Sequence, residues 1–516
     1  MATWDLENAA HLLRRAAFGG TPEEIKAFHD RHSSVAEAVN ELLNFGPSAR
    51  KPPAPNDVSD DGRLKMQRWW IKQMAKSPNP ATACREKLVL FWHNHLASGA
   101  NKQPTLKYMS YQNALFRTFA QGNFKDFIRA FNADPANLYY LDGITNVAST
   151  DTDHTPPYAT PNENFGRELQ ELFTLGRSEL ALDGSFDPTK PNYTESDVHN
   201  MARACTGWTS IQGKVGVWNQ GDWDGGQYDD NADGVADPMV IYGNSSNNFR
   251  IDDGVAGTSN DVLTLIFGKH DTQGKSTVGM HIAKKLWTWY AYPPPFAGLR
   301  TLLGGFADVF ENSNFELNPL LQGIFTHDEF YSDTAKSRTI KNPIDYIVQT
   351  LRAFGVKSNG KAIGDNFLEQ GDHARIMGMN LFEPPNVAGW PGGLDWINSG
   401  TLLARAEFAK ELAAADSGSN RLRLSSMVAV TGFPNSGLPL GNSAADPGAV
   451  VDAILAQLGL DTGPIALTPT QRQTLIDYAT TGGPTLDLSS DSTDDANTKV
   501  RGLISLALEA AEYNTF

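Results

Sequence analysis

The stretch from Asn162 to Gly176 restricts what this chain can become more than any other. Apolar side chains recur at Phe165, Leu169, Leu172 and Phe173, the i, i+4, i+7, i+8 stripe of an amphipathic helix. Asn162 precedes the stripe as an N-cap, and Gly176 follows it as a C-terminal stop. The opposite face carries Glu163, Arg167 and Glu171 at i, i+4 spacing, with Glu168 at i, i+3 from Glu171. Several carboxylates and one guanidinium are thus held on about three turns of rigid backbone, with Asn164 beside them. Two readings stand. One is a catalytic acid/base pair, Glu168 and Glu171, tuned by Arg167. The other is a structural salt-bridge ladder.

Helical signals of the same kind fill most of the chain. Thr21-Pro22 with Glu23 and Glu24 reads as a helix start. Helices are expected from about Gly62 to Lys76, Thr82 to Ala97, Leu106 to Gly122, Phe124 to Ala133 and Thr194 to Cys205. They resume near Asp261 and continue through Gly279 to Trp289, Pro319 to Phe325, Pro343 to Phe354, His373 to Met379 and Ser399 to Ala415. Residues 210–260 differ: Gly, Asp, Asn and Trp dominate, with β-prone pieces such as Met239 to Tyr242. The fold class is therefore mainly α: a large multi-helix domain over 1–416 with that loop/β insertion. An exposed Ser/Gly/Pro-rich connection follows at 417–446, then a helical C-terminal subdomain over 447–516.

With 516 residues the chain can bury a substantial core, and no run of eighteen apolar residues marks a membrane span. Lys+Arg 43 against Asp+Glu 59 gives a net charge of -16. That balance speaks against coating nucleic acid or anionic lipid and favours neutral or cationic partners and divalent cations. Cys84 and Cys205 are too few for a disulfide framework and read as buried free thiols. The opening MATWDLENAA holds no charged-then-apolar segment, so no signal peptide is expected. Three placements stay open: inside the cell, outside after loss of a leader, or outside in company with an exported partner.

Four further constellations bear on chemistry. Asp229, Asn231, Asp233 and Asp237, with the Val235 carbonyl and a turn at Gly234, have calcium-loop spacing. Val240 occupies the twelfth position, so the usual bidentate glutamate is missing, and Asp222 or Asp224 is left to substitute. A solvated acidic turn is the alternative. In His93-Asn-His95 the two rings point about 200° apart on a helix and cannot share one ion. His95, among Leu88, Phe91 and Trp92, reads as a core histidine; His93 reads as the solvent-facing one. His270-Asp-Thr-Gln-Gly-Lys275 offers acid/base groups, or equally a polar turn with Asp271 capping local amides. Trp208, Trp390 and Trp396 lie in Gly/Pro/Asn-rich segments, where they serve as carbohydrate platforms or as clamps holding loops to the body. Arg203 joins them as a binding candidate. No Gly-x-Ser-x-Gly, Walker loop or dinucleotide fingerprint stands in a convincing setting, and no organic cofactor is expected.

The Asn162–Gly176 stretch resembles the signature of a bacterial family of helical proteins known as domain of unknown function 1800. Other segments agree in order: His11–Gly19, Arg85–His95, Asn137–Asp142, Tyr193–Val198, Ala202–Trp208, His270–Lys275 and Pro384–Gly393. The resemblance spans nearly the whole chain and implies a helical fold; it assigns no activity. Many members carry a histidine where this chain has Phe173, which weakens the case for a metal held at that position with Glu168 and Glu171. Genes of the family often neighbour those of a second family whose members have the marks of export, which is what the resemblance implies for a partner.

Two functions of different class follow. The first is a hydrolase or lyase acting on a polymer such as a glycan, with Glu168 and Glu171 as acid/base groups, Arg167 orienting them, and His93 or His270 assisting. Carboxylates at i, i+3 are close for glycoside hydrolysis, which leaves Asp142, Asp197 or Asp271 as an alternative partner. The second is a non-catalytic helical scaffold that binds an exported protein.

Overall fold

Most helix starts fall where the local capping chemistry puts them. Thr21 accepts from the Glu24 amide at 3.2 Å while the Glu24 carboxylate accepts from the Thr21 amide at 3.0 Å, a reciprocal cap ahead of Pro22. Thr194 and Asp197 repeat the device. The computed structural model describes residues 2–53, 56–148, 161–219, 223, 238–251, 261–355, 373–414, 446–481 and 495–516.

Within these, the first helices are α1 (Leu6–Ala17), α2 (Pro22–Asp30), α3 (Val35–Leu43), α4 (Asp60–Ala75), α5 (Pro80–His95), α6 (Leu106–Phe119), α7 (Phe124–Asn132) and α8 (Pro135–Tyr140). Then come α9 (Glu163–Glu168), α10 (Glu195–Ala204), α11 (Val262–Phe267), α12 (Thr277–Tyr290), α13 (Leu299–Asn312), α14 (Leu317–Thr326), α15 (Asp333–Ser337) and α16 (Pro343–Ala353). The last are α17 (His373–Ile376), α18 (Ser399–Ala414), α19 (Pro447–Leu458), α20 (Pro469–Thr480) and α21 (Asp495–Glu509). Strands occur among the described residues as three two-stranded antiparallel ribbons: β1 (Ser178–Leu180) with β2 (Phe186–Pro191), β3 (Trp208–Gln212) with β4 (Val215–Trp218), and β5 (Met239–Ile241) with β6 (Asn244–Ser246). The protein is mainly helical, as its periodicity requires.

α5 is the axis of the body, with α1, α3, α4, α6 and α12 all packed on it. Being surrounded, it is buried on nearly every side, Leu88 to His93 included. Its two buried charged residues, Glu86 and Lys87, are matched rather than solvated. Glu86 accepts from Arg117 Nε and Nη2 at 3.0 and 2.6 Å and from Trp70 Nε1 at 3.1 Å; Lys87 pairs with Asp345 of α16. Buried ions need such matching, because losing one partner strands the other at a cost of about 3–5 kcal/mol. Cys84 and Cys205 are buried free thiols, and burial pushes the Cys84 thiol up to about 12.

The C-terminal helices join the same core. α21 packs along α18, and α19 meets α16. Arg501 donates to the Ala413 carbonyl at 2.6 Å, and the Tyr346 hydroxyl to that of Leu508 at 3.0 Å. The chain end is pinned beside residues 339–341: the Lys341 amide donates to Asn514 O at 2.9 Å, and the Phe516 amide to Thr339 O at 3.2 Å. No helix among the described residues is long and apolar enough to cross a membrane.

Candidate functional site

The Asn162 segment is a helix of two kinds. Asn162 caps α9 by accepting from the Asn164 amide at 2.9 Å, as its position suggests. A single α-helix was the expectation; instead α9 ends at Glu168 and Leu169–Thr174 continues as a π-helix. The Leu175 amide reaches back five residues to Gln170 O at 2.9 Å, and the Thr174 hydroxyl to Leu169 O at 2.5 Å. Tertiary partners hold the wider turn open. His281 of α12 bonds Leu172 O at 2.9 Å, and His95 of α5 bonds Phe173 O at 3.1 Å. Gln170, fully buried, donates to Gly166 O at 2.9 Å and accepts from the Tyr242 hydroxyl at 2.6 Å. π-turns inside α-helices recur at functional sites.

Two glycines permit this placement. A Cβ on Gly166 would stand 2.9 Å from the Ala202 backbone nitrogen, so α9 can lie against α10 only without one. Gly176 turns the chain at φ +76, and a Cβ there would meet His281 Nδ1 at 2.6 Å.

The outward face carries the charges. Arg167 is held by Glu195 at 3.0 and 2.7 Å and by Glu163 at 3.1 Å, while His199 approaches Glu163 at 3.7 Å. The Tyr193 hydroxyl donates to Glu171. That contact and burial both raise the phenol, burial more. Glu168 is half-buried and makes no hydrogen bond or ion pair among the described residues. Burial first, and then the negative charge of Glu171, push its carboxyl up to about 7, against the opposing pull of Arg167. The Tyr140 phenol, raised by its own burial and by Glu168, lies on that side of the pair. One carboxyl is thus poised near neutrality beside a second that a phenol holds in place.

The remaining candidates do not gather here. His93 was read as solvent-facing and is not: it is 1% exposed, enclosed by Trp70, Phe382 and Trp390, and its Nε2 accepts from the Phe382 amide at 3.0 Å. Helix α5 is buried on both of the faces that His93 and His95 occupy, so neither ring reaches water. His95 is in the core, as its neighbours imply. His270 is exposed but pairs with Glu311 of α13 at 2.7 Å, and no contact among the described residues joins it to Glu168 or Glu171. Its neighbour Asp271 accepts from the Gln273 and Lys275 amides, both at 2.9 Å, and from Arg300 at 2.6 Å.

The tryptophans are likewise not platforms. Trp208, Trp390 and Trp396 are 3%, 6% and 5% exposed, which removes the open faces that sugar stacking needs. Trp390 anchors its loop on α5, its amide donating to Asn94 Oδ1 at 2.7 Å. Arg203 is buried, with Nη1 donating to Asn200 at 3.3 Å; Asn164 stays half-buried at the start of α9. Asp229, Asn231, Asp233, Val235 and Asp237 lie outside the described residues. Among those described, no group of three or more His, Cys, Asp or Glu side chains is arranged to hold a metal.

Tyr193, Glu195, Gln170 and His281 belong to the site without having been singled out. Tyr193 opens the capped Thr194 helix, so its place next to a helix start was readable; that it faces Glu171 was not.

No curated protein and no solved structure matches the chain. A model of one family, described as a protein of unknown function (DUF1800), matches residues 11–515. That span is nearly the whole molecule, and the chain belongs to the DUF1800 family.

Proposed function

We propose that the protein is a hydrolase or lyase working by general acid–base catalysis at Glu168 and Glu171. One observation carries the reading: the Glu168 carboxyl, pushed up to about 7 and unpaired among the described residues, next to a carboxylate steadied by Tyr193. A group whose pKa lies near the working pH gives up and regains a proton with least loss, and environments that separate two carboxylates assign them opposite roles. Glu168 is the acid, Glu171 the base, and Arg167, fixed by Glu163 and Glu195, positions the helix face. The pair lies on an outward face between Tyr140 and Tyr193, which favours an extended substrate, a polymer such as a glycan. The buried tryptophans lend that preference nothing. A calcium ion in the 229–237 loop belongs to the proposal on spacing alone.

A second reading has its own support. His93, His95, His281 and the loop tryptophans are all interior, and Arg167 is already matched, as in a scaffold for an exported partner protein. An activity screen over polymeric glycans separates the two. The wild-type protein is expected to turn over at least one, with kcat falling about 10²–10⁴-fold in Glu168→Gln. Equal rates in both proteins on every substrate would favour the scaffold.

A further inference from the structure

A separate cavity of about 490 Å³ opens where the N-terminal helices meet the C-terminal ones, and it shares no lining residue with the Glu168 site. Its volume is that of a small-molecule pocket. Much of the wall is apolar, from Leu6 and Ala10 of α1, Ile25 of α2 and Leu458 of α19. At one side stands Arg14, whose guanidinium makes no hydrogen bond or ion pair among the described residues. Gly459, at φ +68 past the end of α19, leaves it room: a Cβ there would lie 2.7 Å from Nη2. Lys341 also lines the cavity, buried, with Nζ donating to Tyr513 O at 2.8 Å and stacked 3.8 Å from the Tyr513 ring.

The charges behind this wall are mostly positive. Arg15, Lys87 and Lys341 are buried around the carboxylate of Asp345, which Lys87 already holds, and buried Arg405 stands beside Lys341, donating to its carbonyl at 2.8 Å. Burial and mutual repulsion depress Lys341 far below an ordinary lysine. Of the acids at the rim, Asp5 caps α1, Glu7 holds Lys336 at 2.6 Å and Asp461 is exposed; Asp461 and Glu7 act on the Arg14 charge through space, without a hydrogen bond or ion pair to it among the described residues. An apolar wall ending in an unpaired guanidinium is a receptor for an amphipathic anion.

We infer that this cavity binds an organic carboxylate with an apolar body, the head group on Arg14 and the body against α1, α2 and α19. Because the pocket spans both ends of the chain, the ligand clamps the C-terminal helices to the body. The test is calorimetric titration of the full chain with octanoate, and with 1-octanol as the uncharged equivalent. Octanoate is expected to bind saturably, one per chain, and more tightly than octanol. Arg14→Met should weaken octanoate about ten-fold or more and leave octanol unchanged. Ala456→Leu, which fills the cavity from α19 and keeps Arg14, should weaken both. No saturable octanoate binding, equal affinity for acid and alcohol, or indifference to Ala456→Leu would each overturn the assignment. The last two comparisons hold even if Arg14→Met fails to fold.

Discussion

His281 and His95 bond two consecutive carbonyls of the π-helix, Leu172 O at 2.9 Å and Phe173 O at 3.1 Å, from rings whose centroids are 5.8 Å apart. A carbonyl oxygen only accepts, so both imidazoles carry their proton on Nε2, and both Nδ1 atoms are buried without a partner among the described residues. Burial, with Lys285 nearby, holds both below the ordinary histidine value, His281 at about 3. The segment bearing Glu168 and Glu171 is therefore fastened to α5 and α12 by two rings that must stay neutral.

The pH dependence follows from that neutrality. In the unfolded chain each histidine titrates near 6.5. The stability from the folded, neutral rings is full above that pH and is lost as pH falls below it, for His281 down to about 3, by up to about 1.4 kcal/mol per pH unit per group. His281→Gln keeps a donor for Leu172 O and removes one titrating group. Urea midpoints at pH 7.5 and 5 should show a smaller acid loss in the variant than in the wild type; an equal loss would exclude His281 as a source.

Glu168 has the opposite sign. Its carboxyl titrates near 4.5 in the unfolded chain and near 7 in the fold, so its contribution is full below 4.5 and is lost as pH rises through about 7. Glu168→Gln should be more stable than the wild type at pH 8 by about 1 kcal/mol, after discounting for solvent screening, with no such gain at pH 4.5. Denaturant titrations at the two pH values check this. A stabilising substitution that abolishes turnover is what a functional carboxyl should give.

Gly166→Ala should force α9 and α10 apart. The added methyl would stand 2.9 Å from the Ala202 backbone, which cannot rotate away. A loss of about 1–3 kcal/mol is expected from chemical denaturation. A neutral effect would mean that the two helices have slack between them.

For the 229–237 loop, calcium is expected to raise the melting temperature of the wild type and not that of Asp233→Ala. The absence of any rise with calcium would leave an acidic turn.

Local chemistry determined much of this protein. The caps at Asn162, Thr21 and Thr194, the proline after Thr21, and the stripe of Phe165, Leu169 and Phe173 each act over a few residues. A reader of the sequence can place α2, α9 and α10 from them and conclude that the chain is mainly helical. α13 escaped because it starts at Gly298, in the left-handed region and with no side-chain cap. The π-turn escaped because its cause is remote: His95 and His281 arrive from α5 and α12. The same holds for Trp208, Trp390 and Trp396, whose surroundings are polar or glycine-rich in sequence and closed in space, and for His93, whose helix is covered on that face by Trp70, Phe382 and Trp390. Periodicity tells which side of a helix is apolar, but burial depends on what packs against the other side. Only the tertiary structure decided that Glu168 would be left unpaired among the described residues while Arg167 and Glu171 were matched, because their partners Glu195 and Tyr193 reach them from a different part of the chain.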